Sequence, residues 1–151
     1  MITHAVEAAK QAGSIIKQNF STIHPHSVTY KDPDNVVTET DITAEQAILT
    51  VLKKEFPSHA FFSEEAGLTQ TESEYLWVID PLDGTSNFAQ HIPFFCVSIA
   101  LFQNGQPVLG IIFDPIHDEL FTAETGKGAQ LNNNPIAPSN TETLGKSVLA
   151  L

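Results

Sequence analysis

A chain of 151 residues, 42% of them apolar, can bury one good core, and its 18 Asp and Glu against 7 cations, a formal charge of −11, argue against nucleic acid as a partner. All seven cations are lysine, which excludes a bidentate arginine clamp on phosphate or carboxylate within the chain. No run of 18 apolar residues and no basic leader is found, so neither a helical membrane span nor a signal peptide is expected and the cytoplasm is the expected compartment. The single cysteine, Cys96, agrees with a reducing compartment and, with its apolar neighbours, is expected in the core rather than as a nucleophile.

In chain order, Ile2, Val6, Ala9, Gly13, Ile16 and Phe20 recur at steps of four and three, one face of an amphipathic helix over 2–20. Residues 21–31 read as a connection into extended chain. His24 and His26 within it do not make a metal site without a third ligand nearby. Lys31-Asp32-Pro33-Asp34-Asn35 is turn chemistry and Val36-Val37-Thr38 is extended. A second helix is expected over 42–56, with Ile42, Ile48, Leu49, Leu52 and Phe56 as its apolar positions and Asp41 as its N-cap.

Residues 59–64 read as a short strand ending in Glu64 and Glu65. Adjacent residues of extended chain face opposite ways, so the two carboxylates reach one site together only if the strand has already ended. A solvated pair and a ligating pair both fit. After a polar connection over 69–74, Trp77-Val78-Ile79 reads as a buried strand, closed by Pro81, which has no N–H for a ladder. Asp80 and Asp83 lie three residues apart around the Leu82 carbonyl, and Gly84 permits a tight bend. Thr85-Ser86-Asn87 are good N-cap types, so a short helix could start there. The plain reading of Asp-Pro-Leu-Asp-Gly is a strand and an Asp-Gly turn; the functional reading is converging oxygen donors for a hard cation, beside N–H groups for an anion.

Residues 93–102 read as a strand, Asn104-Gly105 as a hairpin turn, 108–113 as the return strand and Asp114-Pro115 as a further turn. Strands over 119–123 and 129–131 complete an antiparallel meander. Asp114 and Asp118 are ordinary turn residues, and His91 and His117 are read as structural. Two helices followed by a run of strands predict an α+β fold, two helices packed on a largely antiparallel sheet.

The twelve residues Trp77-Val78-Ile79-Asp80-Pro81-Leu82-Asp83-Gly84-Thr85-Ser86-Asn87-Phe88 closely resemble the signature of the inositol monophosphatase family, magnesium-dependent and lithium-sensitive phosphatases. In matching order, Phe62-Ser63-Glu64-Glu65-Ala66-Gly67 is similar to the family's Gly-Glu-Glu-Ser segment, and Val37-Thr38-Glu39-Thr40-Asp41 to its Val-Thr-x-x-Asp segment. Ser63 stands where Gly is usual and Gln90-His91 where His-Gly is usual, and neither change touches a metal ligand.

The resemblance implies the first half of a layered αβαβα sandwich, with residues 1–146 as an N-terminal metal-binding domain and 147–151 as the start of a truncated C-terminal α/β domain. It implies two or three Mg²⁺ per complete site. Glu64, Asp80 and the Leu82 carbonyl would hold the first, and Asp80 and Asp83 the second, together with an aspartate from a Trp-Asp-x-Ala-Ala-Gly-like motif that has no counterpart here. Thr85, near Glu64 and Asp41, would orient and help deprotonate the nucleophilic water. Asp41 would help with that water or with a weaker third cation, besides capping its helix. Gly84 and Thr85 N–H groups would receive phosphate oxygens, Glu65 would stand behind Glu64, and Lys31 matches a lysine near the site.

The implied activity is hydrolysis of a small phosphorylated metabolite, inositol 1-phosphate first, with fructose 1,6-bisphosphate, a 3′-phosphoadenosine nucleotide or histidinol phosphate as alternatives. A non-catalytic fragment that binds metal or mediates dimer contacts is the other reading. A homodimer is the implied assembly, with no membrane partner.

Overall fold

The computed structural model describes residues 1–20, 22, 28–32, 35–64, 66–69 and 72–148, with 28–32 and 35–38 as backbone alone. Helix α1 spans Ile2–Phe20 and buries Ala5, Ala8, Ala9, Ala12, Gly13 and Ile16; of the expected stripe, Ala9, Gly13 and Ile16 are buried while Ile2, Val6 and Phe20 are partly buried against the core, so the inward face is shifted toward the alanines. Small residues let it lie close to the sheet: a Cβ added to Gly13 would stand 2.7 Å from Phe113 Cδ1 and 3.2 Å from Pro115 Cβ. Strands β1 (Val28–Asp32) and β2 (Asn35–Thr38) form a two-stranded antiparallel ribbon, as the turn chemistry between them suggested.

Helix α2, Glu39–Glu55, follows β2 without a linker. Its start corrects the expected N-cap, because Asp41 is the third helical residue and not the residue before the helix. Its carboxylate still suits the helix dipole in that first turn. Ile42, expected in the core, is 40% exposed, while Asp41, Ala44, Glu45, Ile48 and Leu52 point inward. The inward face is therefore apolar at one end and carboxylate-bearing at the other.

The main sheet has eight strands in the order β10-β9-β8-β7-β6-β5-β3-β4. These are β3 (Ala60–Ser63), β4 (Gly67–Leu68), β5 (Tyr75–Asp83), β6 (Cys96–Gln103), β7 (Gln106–Asp114), β8 (Glu119–Glu124), β9 (Gly128–Leu131) and β10 (Asn134–Ile136). From β5 to β10 the strands follow as an antiparallel meander, with Asn104 (φ 50) and Gly105 (φ 77) both left-handed in the β6–β7 turn. The β3–β5 pair is parallel. The short strands β4 and β10 were not anticipated; a two-residue and a three-residue strand carry too little pattern to read.

Helices α1 and α2 cover one face of this sheet, α1 over β6 and β7 and α2 over β5. Between the layers lie Trp77, Ile79, Val97, Ile99, Leu101, Leu109, Ile111 and Phe113. Each fully buried side chain of this size contributes about 1.5–3 kcal/mol. His59 closes the core at the β3 end: Trp77 Nε1 donates to its Nδ1 at 3.0 Å, and its ring stacks on Phe56 and Tyr75. The predicted α+β class, helices on a largely antiparallel sheet, is the fold observed.

Candidate metal centre

Two register relations bring the sequence-predicted carboxylates to one end of the sheet. Strand β3 pairs in parallel with β5, with Ser63 opposite Ile79, so Glu64 and Asp80 are the next residues on neighbouring strands running the same way. The strand ends at Ser63, which releases Glu64 from the alternation rule. On the other side of β5, Asp80 pairs with Ser98 and Asp83 with Cys96. Strand β5 takes three steps where β6 takes two, a bulge over Pro81 and Leu82.

Ser98 and Cys96 share a face of β6, so the bulge puts Asp80 and Asp83 on one face despite their odd spacing. That face is the one turned away from the helices, because Trp77, Ile79, Val97 and Ile99 fill the other. The expected strand end at Pro81 is thereby corrected. The strand continues to Asp83, and the proline is tolerated because it lies in the bulge, where no regular ladder bond is required.

The turn is held by local bonds. Asp80 Oδ1 accepts the Leu82 N–H at 3.2 Å, and the Leu82 carbonyl accepts the Thr85 hydroxyl at 2.9 Å. Thr85 Oγ1 also lies 3.3 Å from Asp41 Oδ2, where Asp41 is 2% exposed. Gly84 stands at φ 96 and forms the N-cap of the short helix α3, Thr85–Ala89, with no side-chain cap, so the Thr85-Ser86-Asn87 types sit inside the helix and not at its cap. A Cβ at Gly84 would approach the Phe94 carbonyl oxygen to 2.9 Å and Phe95 Cβ to 3.1 Å, so both the conformation and the contact require glycine.

Electrostatics at this end are strongly negative. Cys96, expected in the core, is half-buried on the outer face, its Sγ 3.9 Å from Asp83 Oδ2. Burial, then the charges of Asp83, Asp80 and Asp114 and the bond to Asp83, push its thiol up to about 12. The negative charges of Asp83 and Asp80, which add to the effect of burial on Cys96, also favour a cation nearby. A cleft of about 410 Å³ beside it is lined by Asp83, Gly84, Asn87, Phe95, Cys96 and Asp114 among others.

The donors at this end, Glu64, Asp80, Asp83 and the Leu82 carbonyl, are all oxygen, the set a hard cation such as Mg²⁺ takes. Glu64 and Asp83 are exposed and Asp80 is half-buried. Among the described residues no three His, Cys, Asp or Glu side chains stand close enough to hold an ion. The strands therefore align the carriers, without a ready-made ligand set among the described residues. Glu65 and the His24/His26 pair lie outside the described residues, as does the Lys31 side chain.

Asp114 belongs to its own turn: its Oδ1 accepts the Ile116 and His117 N–H groups, and its Oδ2 is 2.8 Å from His117 Nδ1. Burial raises its carboxyl, but the bonds from His117 and Ile116 outweigh this and hold it below the usual value, while the bond to Asp114 raises His117. His91 is exposed, at φ 58, with its ring 5.7 Å from that of Phe20.

Sequence reasoning missed Glu45. It is 5% exposed on α2, one turn after Asp41, and its Oε1 accepts the Ala66 N–H at 3.0 Å. The available signal was a glutamate on the same stripe as Ala44, Ile48 and Leu52.

The model of the inositol monophosphatase family matches residues 1–151. The chain is 47% identical over 151 residues to Inositol monophosphatase 3 of Solanum lycopersicum, covering 97% of this chain and 55% of that protein. It is 40% identical over 151 residues to Nus factor SuhB of Escherichia coli strain K12, covering 99% of this chain and 57% of that protein. The crystal structure of the extragenic suppressor protein suhB from Bartonella henselae superposes with a TM-score of 0.87 at 39% identity, over 93% of this chain and 54% of that one. The chain thus spans about half the length of the curated relatives it matches. The family match along all 151 residues, on a shared fold, shows that this chain belongs to the inositol monophosphatase family.

Proposed function

We propose that this chain carries the cation-binding part of a Mg²⁺-dependent phosphomonoesterase whose substrate is a small phosphorylated metabolite, inositol 1-phosphate first. The single observation that carries the reading is the bulge of β5, which turns Asp80 and Asp83 to one face beside the end of the parallel strand β3, where Glu64 follows. Glu64, Asp80 and the Leu82 carbonyl would hold one Mg²⁺, with Asp80 and Asp83 contributing to a second. Bound there, the cations would neutralise phosphate charge, lower the pKa of water and stabilise the leaving alkoxide.

The chain's own groups do the positioning. The Thr85 hydroxyl hydrogen is engaged by the Leu82 carbonyl and lies within reach of Asp41, so the lone pairs of Oγ1 remain to accept a hydrogen bond from an attacking water. Asp41, buried behind it, supports the passage of that water's proton away from the phosphate. The Gly84 and Thr85 N–H groups open α3 and favour phosphate oxygens there. With no arginine among its 151 residues, this chain offers a phosphate bound cations, backbone N–H groups and lysine alone.

The test is Mg²⁺-dependent phosphate release from inositol 1-phosphate, fructose 1,6-bisphosphate, 3′-phosphoadenosine 5′-phosphate and histidinol phosphate. The 151-residue chain and a full-length form are run side by side. The highest kcat/KM on inositol 1-phosphate is expected of the full-length form, and no release from any of the four would overturn the reading. A second reading, a chain that holds a cation weakly without turnover, is favoured by the lack of a ready-made ligand set among the described residues. Activity of the 151-residue chain comparable to the full-length form would remove it.

A further inference from the structure

Helix α2 touches both halves of the candidate site from behind. Asp41 and Glu45 are four residues apart on its inward face and are 2% and 5% exposed. Asp41 reaches Thr85, which follows the bulged end of β5. Glu45 reaches the Ala66 N–H, which lies in the turn just after Glu64 and before β4. A rigid helix thus spans the two chain segments whose relative placement decides whether Glu64 can meet Asp80 and Asp83.

Burying a carboxylate at a core position is unfavourable unless its oxygens are satisfied, so Glu45 is not a filler residue. Its neighbours on the stripe, Ala44, Ile48 and Leu52, are apolar and fully buried. A backbone N–H accepted by a charged oxygen is a strong bond and fixes the peptide that carries it. Here the fixed peptide is two residues from a proposed ligand.

We propose that Glu45 is a positioning residue: by holding the Ala66 N–H it fixes the turn that carries Glu64, and so sets the divalent-cation affinity of the site. This rests on the reading of Glu64, Asp80 and Asp83 as cation ligands. Glu45 does not touch the cation; it acts through the turn, as outer groups do when they orient ligands.

The experiment measures Mn²⁺ binding to the 151-residue chain by electron paramagnetic resonance, for wild type, Glu45→Ala, Glu45→Gln and Asp80→Asn, with folding followed by Trp77 fluorescence. Glu45→Ala is expected to weaken Mn²⁺ about 10-fold or more, the size of effect found for groups that orient ligands. Glu45→Gln keeps an acceptor oxygen for the Ala66 N–H and is expected to restore most of the affinity. Wild-type affinity in Glu45→Ala alongside lost binding in Asp80→Asn overturns the role of Glu45 alone. Wild-type affinity in Asp80→Asn, or no binding by the wild type, overturns the ligand reading and this proposal with it. Glu45→Gln as weak as Glu45→Ala makes charge, not the hydrogen bond, the cause and also overturns it. Should Glu45→Ala not fold, amide exchange and Mn²⁺ binding in Glu45→Leu decide: an Ala66 N–H protected in the wild type that loses protection in Glu45→Leu together with weakened Mn²⁺ binding supports the proposal, and fast exchange in the wild type, or protection or affinity kept in Glu45→Leu, overturns it.

Discussion

Replacing Gly84 by alanine separates two effects that usually come together at a glycine. Gly84 (φ 96) and Gly105 (φ 77) both lie in the left-handed region, where a Cβ costs about 1–2 kcal/mol. Around Gly105 nothing lies within 4 Å of an added Cβ, so that strain is the whole effect. At Gly84 the Cβ would also stand 2.9 Å from the Phe94 carbonyl oxygen and 3.2 Å from Phe95 Cα, both backbone atoms that cannot rotate aside. Forcing such an overlap adds about 1–3 kcal/mol, giving a total of roughly 2–5 kcal/mol for Gly84→Ala. Urea unfolding followed by the fluorescence of the single tryptophan reads this directly. With a slope of about 2 kcal/mol/M, the midpoint should fall by roughly 1–2.5 M for Gly84→Ala and 0.5–1 M for Gly105→Ala. Equal shifts at the two positions would refute the argument that the β5 turn is packed against 94–95.

Three further outcomes follow from the geometry. Gly13→Ala meets a Phe113 ring that can partly give way and Pro115 that cannot, so a loss of about 1–3 kcal/mol is expected, and an unchanged urea midpoint would show that α1 is not seated that closely. Burial lowers the His59 imidazole below its ordinary 6.5, so the folded state binds fewer protons there; stability is full above about pH 6.5 and lost as pH falls below it. His117, raised by Asp114, acts in the opposite sense, so the urea midpoint should be followed from pH 7.5 to 5 in a His117→Gln background, and a His59→Gln change that leaves the slope untouched would count against the assignment. In a full-length form, Asp83→Asn should remove most Mg²⁺-dependent phosphate release, and near-wild-type turnover at saturating Mg²⁺ would exclude Asp83 as a ligand.

Much of the fold was legible because it rests on local periodicity. The α1 stripe from Ile2 to Phe20 and the Asn104-Gly105 turn need only neighbours in sequence to be read. The twelve residues from Trp77 to Phe88 likewise located the candidate site, since Asp80, Leu82, Asp83, Gly84 and Thr85 are contiguous. The start of α2 lies three residues before the expected one, because β2 runs directly into the helix and leaves no linker to mark the boundary. The apolar neighbours of Cys96 suggest the core, yet alternation along β6 sends it to the opposite face from Val97.

Local pattern in the chain specifies most of the elements and the chemistry available at one turn: oxygen donors, a glycine, no arginine. Which donors share a face was decided by tertiary pairing. Asp80 and Asp83 have an odd spacing that opposes them on a regular strand, and only the extra residue against β6 reverses this. Glu64 comes beside them only through the parallel register of β3, and Glu45 reaches Ala66 only because α2 lies behind both. A bulge, a register and a buried carboxylate bond each depend on a partner distant in sequence, which is why no local pattern encodes them.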